Sequence, residues 1–180
     1  MKVLIVCGTT EGQTRTIAER AAARIRNLGH EARLYDSSDV FDKLQIGAFT
    51  AIIAAASVHQ QVHQETVTAF ATAHREQLNA KLTAFISVSL SAALESDGLE
   101  AQGYVDRFIT ETGWRPTKTL LLAGALRYTE YDYFKQQIVK YTVLKGRGSS
   151  NTRRDFEYTD WEALSEFVDS FLEMVARAQG

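Results

Sequence analysis

The sequence predicts a three-layer α/β sandwich in which helices cover both faces of a five-stranded, parallel, doubly wound sheet. Two observations carry this prediction. Short apolar runs of strand character alternate with amphipathic segments of about 10–18 residues, which is the pattern of repeated βαβ units. Proline occurs once, at Pro116, so almost nothing interrupts regular structure. The 180 residues, 45% of them apolar, fit a single domain that spans residues 1–180.

Each element is predicted by its own pattern. The strands are runs rich in Val, Ile, Leu and Ala, typical of strands buried on both faces, and they lie at residues 3–6, 32–35, 48–56, 82–88 and 119–126. The helices repeat apolar residues at helical spacing and lie at residues 17–28, 40–46, 64–78, 98–112 and 160–178. Gly29 is expected to form a left-handed cap after the first helix. Sheets of this class bind ligands at the carboxyl ends of their strands.

Composition and charge exclude several classes of protein. The formal net charge of −2 provides no basic field, so we expect no nucleic-acid partner. The single Cys7 excludes an internal disulfide framework and a four-cysteine zinc site, and we expect it to pack in the core. No apolar run approaches the ~20 residues of a membrane span, and Gly8 ends the apolar start too early for a signal peptide. We therefore expect a cytoplasmic protein.

The loop after the first strand has the residues of a phosphate site. It runs from Gly8 to Thr14 and leads into the first helix, whose N-terminus carries about half a positive elementary charge. The hydroxyls of Thr9, Thr10 and Thr14 can each donate a hydrogen bond, and Gly12 lets the backbone approach an oxygen closely. Helix capping also explains threonine and glycine here, but three hydroxyls in one loop favour phosphate binding.

Other phosphate-binding loops do not fit the spacing. A Walker loop needs G-x-x-x-x-G-K-[ST], but Gly8 and Gly12 enclose only three residues and no lysine follows. The dinucleotide fingerprint G-x-G-x-x-G is absent, which leaves Asp36 as only a weak indication of a ribose contact. A cysteine-based phosphatase loop needs an arginine close behind its cysteine, whereas Arg15 lies eight residues after Cys7. A mononucleotide flavin suits the remaining description, a phosphate loop with neither a lysine nor a metal site.

The same loop carries a family resemblance. Residues 9–14, Thr-Thr-Glu-Gly-Gln-Thr, resemble the phosphate loop of flavodoxins, and the Gly-Gln-Thr end resembles the flavodoxin-like, menaquinone-dependent protoporphyrinogen IX dehydrogenases of bacteria. The likeness continues at residues 55–58, 87–90, 113–116, 123–128, 152–154 and 158–162. Its most specific part runs from Trp114 to Trp161, because that family also carries a long insertion after the fifth strand, expected here at about residues 128–152.

The resemblance implies a flavodoxin-like fold and an FMN-dependent oxidoreductase of porphyrin biosynthesis, which takes hydride equivalents from a porphyrinogen and passes them to a quinone. The residues implied to hold the phosphate are Thr9, Thr10, Glu11, Gly12, Gln13 and Thr14. The flavin ring is implied to lie between two loops, one after the third strand and one after the fourth. Their residues are Ser57, Val58, His59 and Gln60 in the first loop, and Ser89, Leu90 and Ser91 in the second. No catalytic residue is assigned.

Two loops depart from the family pattern. After the third strand the family tends to place aromatic residues and a glycine, whereas this chain has His59-Gln60-Gln61-Val62-His63. The two histidines can act there as proton donors, or they can belong to a solvated polar loop. After the fourth strand the family tends to be basic, whereas this chain has Glu95, Asp97 and Glu100, whose charges would repel the propionates of a porphyrinogen.

The predicted insertion has an aromatic face bordered by basic residues. Its helical stripe consists of Tyr131, Phe134, Ile138 and Tyr141. Such a stripe can lie on the inner face of the cell membrane through residues 131–147, where a quinone is met. It can also cover the flavin, form a homo-oligomer interface, or pack on its own domain.

Two other functions remain open at this point. A flavodoxin-type electron carrier between protein partners would share the phosphate loop, although such carriers are typically strongly acidic and this chain carries a net charge of −2. A flavin-less interaction module would account for the lack of aromatic residues at positions 59–63.

Overall fold

The computed structural model describes residues 1–9, 12–39, 44–93, 98–126, 156–157 and 159–180. The strands are β1 (Lys2–Gly8), β2 (Glu31–Asp36), β3 (Ala51–His59), β4 (Val62–His63), β5 (Thr83–Ser89), β6 (Lys118–Ala123), β7 (Ala125–Leu126) and β8 (Phe156–Glu157). Five of them pair in parallel in the order β2-β1-β3-β5-β6, which confirms the predicted doubly wound sheet. The short β4 adds an antiparallel pairing to the end of β3, and β7 pairs with β8 in a separate two-stranded sheet.

Helices cover both faces of this sheet. They are α1 (Gln13–Asn27), α2 (Glu65–Ala73), α3 (Arg75–Asn79), α4 (Gly98–Thr112) and α5 (Trp161–Gln179). Because successive residues of a strand face opposite sides, Ile5 packs in the cluster formed with α1 and α5, whereas Leu4 and Val6 pack in the cluster formed with α2, α3 and α4. The predicted three layers are therefore present, and Cys7 is fully buried in the first cluster, as expected.

One predicted helix is interrupted in the structure. The helix expected over residues 64–78 is two helices, because His74 leaves the helical region with φ −109° and ψ 15° and joins α2 to α3. The change of direction lets Leu78 pack in the core. It also brings the Asn79 side chain to the backbone of Gly113 and Arg115, at 3.0 and 2.8 Å. The left-handed cap predicted at Gly29 is confirmed by its φ of +82°.

One predicted strand is shorter than expected, and two other predictions fall partly or wholly on residues that the structure does not describe. The strand expected over residues 119–126 ends at Ala123, because the hydroxyl of Thr159 donates to the Ala123 carbonyl at 3.0 Å and the following residues pair with β8 instead. In the helix expected over residues 40–46, positions 40–43 lie outside the described residues, and the helical turn that is described is a 3-10 turn at Ile46–Ala48. The insertion at about 128–152 also lies outside the described residues.

Gly8 fixes the distance between the end of β1 and helix α2. A Cβ atom at this position would lie 2.5 Å from Val67 Cγ2 and 2.7 Å from Ser37 Oγ, closer than side chains tolerate. The Ser37 hydroxyl in turn lies 2.6 Å from the Thr66 hydroxyl at the start of α2. Glycine therefore allows α2 to begin directly beside the point where the phosphate loop leaves the sheet.

Candidate functional site

The sheet brings three of its loops to one edge. Gly8 of β1 lies opposite Ala56 of β3, and Ser57 lies opposite Val88 of β5, so these three strands end at nearly the same level. β1 is also the strand at which the connections change direction, since β2 lies on one side of it and β3 on the other. In doubly wound sheets the ligand crevice lies at this switch point. The three loops that carry the predicted site residues are therefore neighbours.

The phosphate loop closes on itself before α1 begins. Gly12 is the N-terminal cap of α1, with φ 86° in the left-handed region, and it has no side chain with which to cap the helix. Its N–H donates to the Thr9 hydroxyl oxygen at 2.9 Å, and its carbonyl accepts from the Thr16 N–H at 3.1 Å. Thr9 thus shapes the loop and keeps its own hydroxyl hydrogen to donate. Thr10 and Glu11 lie outside the described residues.

Gln13 and Thr14 are the first two residues of α1, and their side chains have different surroundings. Thr14 is 1% exposed and lies in the first turn of α1, just after Gly12 and Gln13. A hydroxyl donor at a helix N-terminus suits a ligand that supplies an anionic acceptor. The Gln13 side chain donates to the Thr159 hydroxyl at 2.9 Å, which ties the loop to the segment that precedes α5. The buried Thr14 beside the left-handed Gly12 suits an anionic group such as a phosphate.

Asp36, the weak indication of a ribose contact, is engaged within the protein. Its carboxylate pairs with Arg15 of α1. It also accepts hydrogen bonds from the hydroxyl of Ser38 at 2.6 Å and from the Ser38 N–H at 3.0 Å. These two bonds, more than Arg15, hold the pKa of the carboxyl below its usual value.

The second wall of the site is a hairpin rather than a loop. Ser57, Val58 and His59 are the last residues of β3, and they do not form a loop because β4 pairs with them antiparallel. The turn between the strands is made by Gln60 and Gln61, with φ of 49° and 68°. Two successive residues with positive φ match a type I′ turn, which normally takes asparagine or glycine. We call residues 57–63 the hairpin wall.

The third loop is a tight turn after β5. Ser89, the buried last residue of that strand, accepts from the Ala92 N–H at 3.3 Å, and a 3-10 turn follows at Ser91–Ala93. The Ser91 hydroxyl donates to Glu100 at 3.1 Å. Leu90 is half-buried between them. We call residues 89–93 the turn wall; Glu95 and Asp97, which follow it, lie outside the described residues.

Helix α4 holds both walls. Glu100 accepts the Ser91 hydroxyl from the turn wall and the Tyr104 hydroxyl from its own helix, the latter at 2.7 Å. Two turns further along, Arg107 donates to the Gln61 carbonyl in the hairpin wall at 3.0 Å. Glu100 was expected only as a repulsive charge, and nothing in the sequence pattern singled out Arg107. The structure gives both residues a role in fixing the loops.

His63 is a buried residue, so the interpretation as part of a solvated loop is wrong. It is 6% exposed, and its Nε2 lies 2.9 Å from the Ser87 hydroxyl on β5. The rings of Phe85 and Phe108 are stacked on each other at 4.5 Å, and the centroid of each lies 5.1 Å from that of His63. Burial lowers the pKa of His63 to about 4, so the imidazole is neutral near pH 7 and supplies no cationic proton donor there. His59 is exposed at the end of the hairpin.

We expect the burial of His63 to make stability fall in mild acid. The folded pKa of about 4 lies below the unfolded value of 6.5, so the unfolded chain binds more protons between these values. Stability is therefore fully present above pH 6.5 and is lost as the pH falls towards 4, by up to about 3 kcal/mol. Urea unfolding at pH 4.5–7.5 measures this slope.

The control for this measurement is the same substitution at two histidines. His63→Gln should flatten the slope between pH 5 and 6.5, whereas His59→Gln, at an exposed position, should retain it. Equal slopes for the wild type and His63→Gln would contradict the assignment.

The described residues offer neither a membrane span nor a metal site. Among the described residues, no helix is long and apolar enough to cross a membrane. The same residues contain no group of three or more His, Cys, Asp or Glu side chains that can hold a metal ion.

Known proteins resemble this chain in sequence and in fold. Residues 4–153 match the Flavodoxin domain family. Protoporphyrinogen IX dehydrogenase (quinone) of Escherichia coli strain K12 is 30% identical over 169 residues, which are 93% of each chain. The protein of the same name from Leishmania major is 26% identical over 174 residues, 94% of this chain and 74% of that one. Oxidised Flavodoxin 2 from Bacillus cereus matches the fold with a TM-score of 0.59 and 18% identity, covering 97% of this chain and 99% of that one. The chain therefore belongs to the flavodoxin-domain family, in the group that contains these dehydrogenases, and it is a flavin-binding oxidoreductase.

Proposed function

We propose that this protein is an FMN-dependent dehydrogenase that oxidises protoporphyrinogen IX and uses a quinone as its electron acceptor. The names of the relatives in Escherichia coli and Leishmania major support the substrate and the acceptor. The match of residues 4–153 to the Flavodoxin domain family supports a small flavin cofactor such as FMN. The relatives favour this function over an electron carrier or a flavin-less module.

One structural observation carries the proposal furthest. The buried Thr14 lies in the first turn of α1, at the edge where the hairpin wall and the turn wall also end. A phosphate at this helix N-terminus and a flat ring between the two walls are parts of one ligand. FMN has both parts.

The residues have separate tasks in this arrangement. The phosphate would be held by Thr9, Gly12, Gln13 and Thr14, together with Thr10 and Glu11 from the sequence prediction. The ring would lie between the two walls, against Ser57, Val58, His59 and Gln60 on one side and Ser89, Leu90 and Ser91 on the other. Bound FMN supplies the redox chemistry, the acceptance of hydride equivalents and their transfer to the quinone. The protein positions the ring and excludes water, and no side chain is assigned a catalytic step.

Three features of the proposal concern partners and organisation. We propose that the whole chain acts as one domain, with residues 128–152 as its insertion. Contact of residues 131–147 with the inner face of the cell membrane would bring the protein to its quinone, and cosedimentation with anionic lipid vesicles measures it. A homo-oligomer through the same residues is the alternative outcome of that experiment, visible by sedimentation of the protein alone.

The experiment that tests the function has two stages. The purified protein is mixed with FMN and desalted, and its visible absorption spectrum is recorded. It is then incubated without oxygen with protoporphyrinogen IX and a short-chain naphthoquinone, and porphyrin formation is followed by fluorescence. We expect retained flavin bands and porphyrin formation that depends on the quinone.

The other outcomes separate the alternatives. Bound flavin without quinone-dependent porphyrin formation would overturn the dehydrogenase and favour the electron carrier. Failure to retain any flavin would overturn both and leave the interaction module. Thr112→Val, a substitution at the far end of α4, is the control for a loss of activity through stability alone.

A further inference from the structure

One buried hydrogen bond links the two walls of the proposed flavin site. His63 belongs to the hairpin wall, and Ser87 lies on β5 two residues before the turn wall begins. The Nε2 of His63 and the Oγ of Ser87 are 2.9 Å apart, and the residues are 6% and 0% exposed. Because neither group can exchange its partner for water, this bond fixes the position of one wall relative to the other.

Two aromatic rings pack against the imidazole of His63. Phe85 and Phe108 are stacked on each other, and each meets the imidazole at a centroid distance of 5.1 Å, with interplanar angles of 58° and 64°. Within the described part of the chain, Ser87 is the polar partner of the imidazole. Arg107 also donates to the Gln61 carbonyl in the hairpin, but that bond is exposed and competes with water. The buried bond is therefore the stronger of these two side-chain tethers.

The hairpin turn depends on such support. Gln60 and Gln61 both have positive φ, a conformation that costs a residue with a side chain roughly 1 kcal/mol or more. A turn with this cost keeps its shape only because its neighbours hold it. His63 is the second residue after the turn and the one that is buried.

We propose that His63 is a positioning residue for the flavin: its hydrogen bond to Ser87 sets the separation of the hairpin wall and the turn wall, and thereby the affinity and the reduction potential of the flavin between them. This inference rests on the proposed function. A role through position differs from a purely structural one, because it changes the surroundings of the flavin in molecules that are fully folded.

Three variants test the bond. His63→Phe keeps an aromatic ring and removes the hydrogen bond, Ser87→Ala removes the partner, and His63→Gln restores a side chain that can bond to Ser87. The readouts are the FMN dissociation constant, from the quenching of flavin fluorescence, and the reduction potential of bound FMN. Far-UV circular dichroism and urea unfolding report whether each variant is folded. The controls are His30→Phe, next to the opposite edge of the sheet, and Ser165→Ala, on α5.

We expect His63→Phe and Ser87→Ala each to weaken FMN binding by about 3- to 10-fold, the effect of one lost hydrogen bond. Both should shift the reduction potential in the same direction. The double variant should be no worse than either single one, because both remove the same bond. His63→Gln should bind within about 2-fold of the wild type, as should both controls.

The outcomes separate this inference from the function on which it rests. If the wild type does not bind FMN, both are wrong. If it binds FMN and the folded His63→Phe and Ser87→Ala variants keep its affinity and its potential, the positioning role is wrong and the function stands. If His63→Phe does not fold, Ser87→Ala decides the question in the same way.

Discussion

Replacing Thr14 by valine is expected to weaken FMN binding by about 10- to 100-fold, because the hydroxyl would donate a charge-assisted hydrogen bond to the phosphate. The same change should leave the free energy of unfolding of the apoprotein nearly unchanged. Valine matches threonine in shape, so the substitution keeps the packing of this buried position. Fluorescence titration with FMN and urea unfolding without FMN measure the two effects.

The matched control is Thr112→Val, at the other buried threonine of a helix. Thr112 is 1% exposed, but its hydroxyl donates to the Phe108 carbonyl at 2.8 Å and accepts from the Trp114 N–H at 3.2 Å. Valine here should cost about 1–3 kcal/mol of stability and leave FMN affinity unchanged, since α4 ends at the opposite edge of the sheet. If Thr14→Val loses stability but not affinity, Thr14 is a structural residue and the phosphate site is wrong.

Replacing Trp114 by alanine is expected to lower the free energy of unfolding by about 3–5 kcal/mol. Trp114 is fully buried, and its indole N–H donates to the Thr83 hydroxyl at 3.0 Å. Its ring packs edge-on against Phe85 and Phe108, at centroid distances of 5.6 and 6.0 Å. Alanine would leave both a cavity and an unpaired buried hydroxyl. Urea unfolding measures the loss, and Trp114→Phe, expected to cost about 1–3 kcal/mol, covers a variant too unstable to isolate.

The second tryptophan of the chain provides the comparison. Trp161 is half-buried at the start of α5, with the Arg20 guanidinium 3.8 Å above its ring. Alanine at Trp161 should cost about 1–2 kcal/mol, because the site is open to water and can relax. Equal losses at the two positions would contradict the central place of Trp114 in the core. Trp114 was first noted as a family motif, and the structure gives that motif a packing role.

The strands of the sheet could be predicted because the apolar pattern that marks each of them lies within a few consecutive residues. Each strand is a continuous apolar run, and β1 shows why: Leu4, Ile5 and Val6 must be apolar in succession since both faces of the sheet are covered. The phosphate loop was predictable for the same reason, since Gly12 and Thr14 stand within a few residues of the strand that positions them. What the sequence could not show is which threonine already has a partner within the protein.

The two walls depended on contacts that are distant in sequence. The turn at Gln60 and Gln61 lacks the asparagine or glycine that marks a type I′ hairpin, so residues 57–59 were interpreted as a loop. The burial of His63 results from Ser87, 24 residues away, and from a helix still further along the chain. Arg107 has the appearance of any helix-surface charge until the fold places it beside the hairpin. Patterns of hydrophobicity contain no information about such pairings.

The path of the chain after β6 affects how the length of this protein can change in evolution. Ala125 lies opposite Glu157, and Thr159 bonds back to Ala123, so the chain leaves the core and re-enters it at neighbouring points. The entropic cost of joining two such points grows slowly, by about 0.6 kcal/mol for each doubling of the intervening length. The length of chain between Leu126 and Phe156 can therefore change in evolution while the sheet and its carboxyl edge stay as they are. A small carrier protein and a larger enzyme can in this way share the same sheet and differ in the segment of chain that connects these two points.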